Sequence, residues 1–461
     1  MVLAQRADLG HGNVKKLLFS LSVPTITSQI VNMLYNLVDR VFIGHMQPAE
    51  TVGKLALTGV GVCLPIIMII SAFASLMAIG GAPRASIADG AGESERSERI
   101  MGNCLTMLLI TSFVLTILFE VFAERLLLLF GASENTIPYA REYMLVVLAG
   151  NVFSQTFFGM NAILRAVGKP RHAMFATMSS VVLNTVLAPI FIWPLKMGIQ
   201  GAALATVISQ VTALAWQLWL FSKSSEIVHF KKGIYKLRSN ILKNIIGIGM
   251  SPFAMNVCAC IVVIFINTSL YKYGGDMAVG AYGIANKVAF VFIMITMGLN
   301  QGMLPIAGYN YGAQRFDRLM KVLKCAIIAG TAITTTGFLI VHIFPYECAR
   351  LFTTDAELID KAMRAIKINM AAFPFVGYQM VVTNFFQSIG KAKISIFLSL
   401  TRQLLYLLPC LLLFPQWWGL KGVWISMPVS DALAFVTAVI SLMIYIKKVS
   451  KEHPIANKVA E

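Results

Sequence analysis

Between Leu18 and Gly44 the chain is apolar enough to enter a bilayer, yet Thr25, Ser28, Asn32, Tyr35, Asn36 and Asp39 recur in it at nearly regular intervals. A spacing of three or four residues stacks side chains along one face of a helix. Facing lipid, each of these groups would be left without a hydrogen-bond partner at a cost of several kcal/mol, so the stripe must line a cavity or another helix. Its last member, Asp39, is a carboxylate among amides and hydroxyls. Arg40 is adjacent in sequence, but consecutive helical residues do not share a face. A carboxylate in a partly dehydrated site can take up a proton and release it near neutral pH. Protonation would also turn it from a pure acceptor into a donor. The pattern supports a proton- or cation-coupled transport site. A simple pairing of Asp39 with Arg40 near the outer interface is the blander alternative.

Three more charges, Lys287, Arg402 and Asp431, fall well inside apolar stretches. At about 1.5 Å per residue, each lies roughly 14–16 Å deep. Charges there are costly alone, so a mutually paired network is expected. Two bases serving one acid suit a fixed anchor better than a proton carrier. Ser28, Asn32, Tyr35, Asn36, Asn151, Gln155 and Gln210 are candidates to line a substrate cavity. Asn161, Asn184, Asn300, Gln301, Asn369, Gln379 and Asn384 are further polar groups within spans, and most such amides are expected to join helices by hydrogen bonds. The sequence contains no HExxH, no GxSxG, no phosphate-binding GKS or GKT loop and no carboxylate cluster at catalytic spacing, so no catalytic or metal-ligating set is assigned. The seven Cys lack metal-ligand spacing and read as small apolar packing residues.

The elements that must position these residues follow from composition. Of 461 residues 57% are hydrophobic and 13% charged, which defines a polytopic membrane protein. The net charge of +17 could suggest nucleic acid, but the Lys and Arg sit in short loops between apolar runs rather than on a soluble face. Twelve spans are expected at 18–44, 55–80, 100–122, 139–163, 173–193, 201–222, 245–271, 277–304, 320–344, 363–387, 393–414 and 420–446. The first reads as a retained signal-anchor, being too long for a signal peptide and holding Pro24 and Asp39. Most of the 38 basic residues fall at the N-terminus, after even-numbered spans and in the tail, which puts both termini in the cytoplasm.

The two halves repeat. Gly80, Pro83, Gly90 and Ala91 recur as Gly302, Pro305, Gly312 and Ala313, and Gly168-Lys169 as Gly390-Lys391, all at an offset of 222 residues. Pro194, Gly198, Gly201 and Ser209 recur as Pro415, Gly419, Gly422 and Ser430 at 221, and Pro24 as Pro252 at 228. Six spans per half give both copies the same orientation. The expected fold is therefore all-α, with twelve transmembrane helices in two parallel, pseudo-repeated six-helix bundles. The bundles would occupy 1–222 and 245–446, joined by a basic cytoplasmic linker at 223–244 and followed by a basic cytoplasmic tail at 447–461.

LVDRVFIG in the first span, the GAGESER loop, AILRAVGKPR after the fourth span, LNTVLAPIFI in the fifth and QGMLPIAGYNYGAQRFDR after the eighth resemble the multidrug and toxic compound extrusion (MATE) transporters. NMLYNLVDRVFIGH is nearest their bacterial MepA-like branch. The resemblance spans essentially the whole chain. It implies two bundles forming a V and export of organic cations or toxic amphiphiles in exchange for protons or sodium ions by alternating access. Beyond the coupling ion no cofactor is implied. The implied partners are small organic cations or amphiphiles and membrane lipids, with no nucleic acid, for a monomer in the bacterial cytoplasmic (inner) membrane. Asp39 matches the family's first-span coupling acid and Asn184 an amide partner in the fifth span. Ala188 stands where archaeal relatives carry a second acid, and Cys260 roughly where sodium-coupled relatives carry a Glu. Both departures weigh against those sodium schemes. A lipid-linked precursor flippase or an exporter of one metabolite is the alternative, and a membrane enzyme comes last.

Overall fold

The computed structural model describes residues 8–46, 52–223 and 229–452, and among these every regular element is helical. The helices are α1 (Val14–Gly44), α2 (Lys54–Gly90), α3 (Ser94–Val121), α4 (Ala123–Leu129), α5 (Ile137–Ala149), α6 (Asn151–Ala166), α7 (Pro170–Ile192) and α8 (Gly198–Lys223). They continue as α9 (Ser239–Gly312), α10 (Phe316–Ile343), α11 (Pro345–Arg350), α12 (Ala356–Asn369), α13 (Phe373–Ser388), α14 (Ala392–Leu400), α15 (Leu408–Trp418) and α16 (Leu420–Glu452). A π-helical turn, Thr401–Leu407, joins α14 to α15.

Nine of the described helical stretches are long and apolar enough to span a bilayer, or 11 if two sharply bent pairs are each read as one span. The pairs are α5–α6, bent by 55°, and α12–α13, bent by 52°. α9 is itself broken at Gly275, whose φ of 66° and ψ of −168° are not helical, so it supplies two spans and the total reaches the expected twelve. The first turns of α12 are polar: Asp355 caps its N-terminus by accepting from the backbone N–H of Glu357, and Glu357–Lys361 and Asp360–Arg364 are paired along its surface.

Backbone conformation carries the duplication. Gly168 and Gly390 have φ of 78° and 73°, and Gly198 and Gly419 of 55° and 53°, at the offsets read from the sequence. Gly92 and Gln314 (φ 77° and 58°) match at the same 222 residues, although one of the two is not glycine. The two bends match as well, since Gly150 and Ala372 occupy equivalent positions. Glycine is retained at two of these three turns, and at the third the same left-handed conformation persists with a glutamine in place of glycine.

The chain divides into two compact units. The first comprises residues 27–249 with 1–8, and the second 250–461 with 9–26. The boundaries therefore fall inside α1 and inside α9, not in the connecting loops. In the first unit the start of α9 packs on α2: a Cβ on Gly249 would lie 2.6 Å from the carbonyl carbon of Leu76. In the second unit the start of α1 packs on the latter part of α9, where a Cβ on Gly298 would lie 2.6 Å from the Cα of Ile26 and one on Gly302 2.7 Å from that of Ser22. Leu76 and Gly298 are repeat equivalents, as are Gly80 and Gly302. Glycine is needed there because two helix backbones touch.

Each unit has its own apolar core. One centres on Ile43, Ile66, Leu127, Met144, Leu148 and Ala203. The other centres on Leu270, Ala281, Val341, Ile366, Val376 and Val423. The basic stretch expected as a linker at 223–244 is partly helical, because α9 begins at Ser239. Residues 224–228 of it lie outside the described residues. Its remainder is docked on α3 of the first unit. Asn103 donates to the carbonyls of Ile234 and Lys236 and accepts from the N–H of Arg238, Thr106 donates to the Tyr235 carbonyl, and Lys231 pairs with the buried Glu98 at 2.9 Å. Of the expected tail, 447–452 continue α16, and 453–461 lie outside the described residues.

Candidate functional site

The polar stripe of α1 reaches three different surroundings. Thr25, counted with the second unit, donates to the Gly298 carbonyl at 2.6 Å, and Ser28 is buried. One turn and two turns further on, Asn32 and Tyr35 face a cavity of about 40 Å³ inside the first unit. Asn36 points away from it, exposed, and donates to the Asn32 carbonyl. Asp39, one turn beyond Tyr35, is half-buried, and its Oδ1 is buried without a hydrogen-bond partner among the described residues. Tyr35 and Tyr143 of α5 both lie within electrostatic reach of its carboxylate.

Opposite α1 the cavity is closed by Phe157 of α6, by Thr177, Ser180, Val181 and Asn184 of α7, and by Thr206 and Gln210 of α8. Thr206 is its hub. Its hydroxyl lies 2.9 Å from that of Tyr35, accepts from the Asn184 amide at 2.9 Å and reaches the Ala202 carbonyl at 3.2 Å. Gln210 accepts from Ser154 on α6. Asn184 thus bonds to Thr206, and among the described residues no hydrogen bond joins it to Asp39. Asn184, the amide that the resemblance matches to the coupling site, belongs here to a Tyr35–Thr206–Asn184 chain that ends one turn short of Asp39. Thr177, Ser180 and Thr206 were not singled out from the sequence. The signal was present in the spacing of Thr177, Ser180 and Asn184 along α7 and of Thr206 and Gln210 along α8, both helical intervals.

The remaining cavity candidates do other work. Asn151 donates to the Ser112 carbonyl and to Thr116, and Gln155 to the Ile70 carbonyl and to Asn151, tying α6 to α3 and α2. Both are buried and neither lines the cavity. Ser28 and Asn36 do not line it either. A span's interior offers a polar side chain either a cavity or a neighbouring helix, and helical period does not distinguish them. Ala188 is fully buried in the apolar core of this unit.

In the second unit Arg402 and Asp431 form an ion pair, Nε to Oδ1 at 2.6 Å, with the side chains 31% and 6% exposed. Arg402 lies in the π-helical turn, and Tyr406 of the same turn bonds Thr437 of α16 at 2.8 Å. The loosened turn thereby makes two bridges to α16. Lys287 does not join them. It is exposed and lies over the Phe352 ring at 5.7 Å, so the expected three-membered network is a pair. Asp431 is the repeat equivalent of Gln210, at the offset of 221 that relates Ser209 to Ser430. One position therefore carries an uncharged cavity amide in one unit and a salt-bridged acid in the other. Among the described residues no group of three or more His, Cys, Asp or Glu could hold a metal ion.

Twelve spans in two repeated halves, with a small polar cavity and buried ionisable groups inside the spans, define a polytopic secondary-transporter architecture. The chain belongs to the MatE family, which it matches over residues 24–190 and 251–412. It is 25% identical to the multidrug export protein MepA of Staphylococcus haemolyticus over 423 residues, 92% of each chain. Among solved structures it resembles the MATE multidrug transporter DinF-BH in complex with R6G, at 32% identity and a TM-score of 0.87, over 96% of this chain and 98% of that one. It also resembles an outward-facing multidrug resistance MATE transporter of the MOP superfamily, at 25% identity and a TM-score of 0.89, over 98% and 100%. Members of this family are transporters, not enzymes.

Proposed function

We propose that this protein is a multidrug efflux antiporter that exports organic cations or toxic amphiphiles in exchange for protons, by alternating access and as a monomer in the bacterial cytoplasmic membrane. Both termini face the cytoplasm in this reading, which rests on where the basic residues fall. The observation that carries it is Asp39: a carboxylate oxygen buried within a span, without a hydrogen-bond partner among the described residues, one turn from a polar cavity. Such an oxygen is a ready acceptor for a proton or a cation. The cavity volume supports an ion's role over a substrate's, since about 40 Å³ holds a few waters, whereas drug-sized ligands need roughly 300–1,000 Å³. The substrate would bind once the cavity widens, and Thr206 is the bridge that widening must break. A diphosphate-carrying lipid precursor would call for positive charge around the cavity, and no Lys or Arg is among its lining residues. The relatives described as multidrug exporters support the substrate class.

The test is uptake of a fluorescent lipophilic cation into inside-out vesicles under an imposed proton or sodium gradient, with wild type compared to Asp39→Asn. Uptake is expected to follow the proton gradient and to vanish in the variant while its unfolding temperature is retained. Uptake that follows sodium alone, or proton-driven uptake that survives the substitution, would overturn this reading.

A further inference from the structure

A second cavity, of about 580 Å³, opens at one end of the second unit. It is walled by the C-terminal turn of α9 (Tyr311), the start of α10 (Phe316), the α13–α14 turn (Lys391), the first turn of α14 (Lys393) and the end of α16 (Tyr445, Lys448). This is the end that the distribution of basic residues assigns to the cytoplasm. The three lysines face one acid, Glu452, whose carboxylate stands 3.9 Å from Lys448, so the cavity keeps an excess of positive charge. Lys391 lies over the Tyr311 ring at 5.9 Å.

Two features show that this is more than a basic surface. Gly390, with φ of 73°, turns the chain tightly into α14, which begins at Ala392 without a side-chain cap. Ala392, Lys393 and Ile394, the first residues of that helix, line the cavity. The first N–H groups of a helix lack intrahelical partners and form a ready anion site. Independently, Tyr445 is only 6% exposed, and its hydroxyl is buried with no hydrogen-bond partner among the described residues. Its ring is held edge-on by Phe385 and Phe386, and Tyr311 and Glu452 stand within electrostatic reach of the hydroxyl. A buried hydroxyl left without a partner is costly unless something bonds to it. A phosphate oxygen would.

We propose that this cavity binds a phosphate group, and that an anionic phospholipid headgroup of the adjoining leaflet supplies it. The phosphate accepts from the Tyr445 hydroxyl and from the first N–H groups of α14, while Lys391, Lys393 and Lys448 neutralise it. The aromatic wall of Tyr311 and Phe316 adjoins the acyl-chain boundary, where such rings are favoured. The site is separate from the cation cavity of the first unit, and occupancy is read without any transport assay.

The purified full chain in detergent is titrated with phosphatidylglycerol, with phosphatidylcholine and with inorganic phosphate, following its unfolding temperature. Phosphatidylglycerol is expected to raise it saturably and phosphatidylcholine not to. Tyr445→Phe keeps the ring packing and removes only the hydroxyl, and should need about tenfold more lipid for the same shift. Replacing Lys391, Lys393 and Lys448 together by Gln should need roughly a hundredfold more. Saturation by inorganic phosphate with the same dependence on Tyr445 would support the phosphate site and name free phosphate as its occupant. Equal responses to the two lipids with none to phosphate would overturn the proposal. So would an unchanged phosphatidylglycerol midpoint in Tyr445→Phe, which decides the matter even if the lysine variant fails to fold.

Discussion

Asp431→Asn leaves Arg402 charged within a span and without its acid. Removing one partner of a buried ion pair generally costs about 3–5 kcal/mol, because the survivor stays uncompensated. The two ends of this pair are not alike, however. The Arg402 side chain is 31% exposed and regains some solvation when left alone, whereas Asp431, 6% exposed, does not. Asp431→Asn should therefore cost about 2–3 kcal/mol and Arg402→Gln about 3–5 kcal/mol. For a unit of this size 1 kcal/mol moves the unfolding midpoint by about 2–4 °C, so the losses are about 4–12 °C for Asp431→Asn and about 6–20 °C for Arg402→Gln. The double variant, with an amide facing an amide, carries no stranded charge and should unfold well above either single variant. The assay is thermal unfolding of the full chain in detergent by tryptophan fluorescence, with vesicle transport measured alongside. A pair that anchors the π-helical turn predicts that transport recovers with stability in the double variant. Single losses below about 1 kcal/mol, or a double variant whose loss is the sum of the two, would refute the reasoning.

Three further predictions separate the roles of the polar and small residues. Asn151→Leu should lower stability by about 1–3 kcal/mol, since it unbonds Thr116 and the Ser112 carbonyl, whereas Asn32→Leu should leave unfolding unchanged and slow cation uptake; reversed outcomes would exchange their roles. Gly249→Ala and Gly302→Ala should each destabilise by about 1–3 kcal/mol, because the added Cβ meets backbone, which has no rotamer to turn aside; unfolding curves matching wild type would show that these helices can part. Asn103→Ala removes the three hydrogen bonds that hold the basic stretch on α3, so limited proteolysis between His229 and Arg238 should quicken several-fold with little change in global unfolding.

The span count and the duplication were legible because each rests on a local rule. A bilayer demands about 20 apolar residues wherever it is crossed, and a glycine that must adopt positive φ, such as Gly168 or Gly390, marks the same turn in both halves. The polar stripe of α1 was legible for the same reason, as a helical period. What period cannot reveal is the neighbour. Asn151 and Asn32 look alike in sequence, yet one bonds across to α3 and the other faces a cavity, because only packing decides what stands opposite a helical face. Thr206 carries no such signal by itself, since a threonine in an apolar span ordinarily bonds back to its own helix, and its role as a hub exists only once α1, α7 and α8 meet. Lys287 was expected beside Asp431 on depth alone; depth places a charge along the membrane normal but not around the bundle, and the chain turns it instead toward Phe352. The division of α1 and α9 between the two units was likewise invisible in either helix. It follows from Gly249, Gly298 and Gly302 letting backbones touch, so it was written in the sequence only as single glycines within long helices, and the tertiary structure alone decided which backbone each would meet.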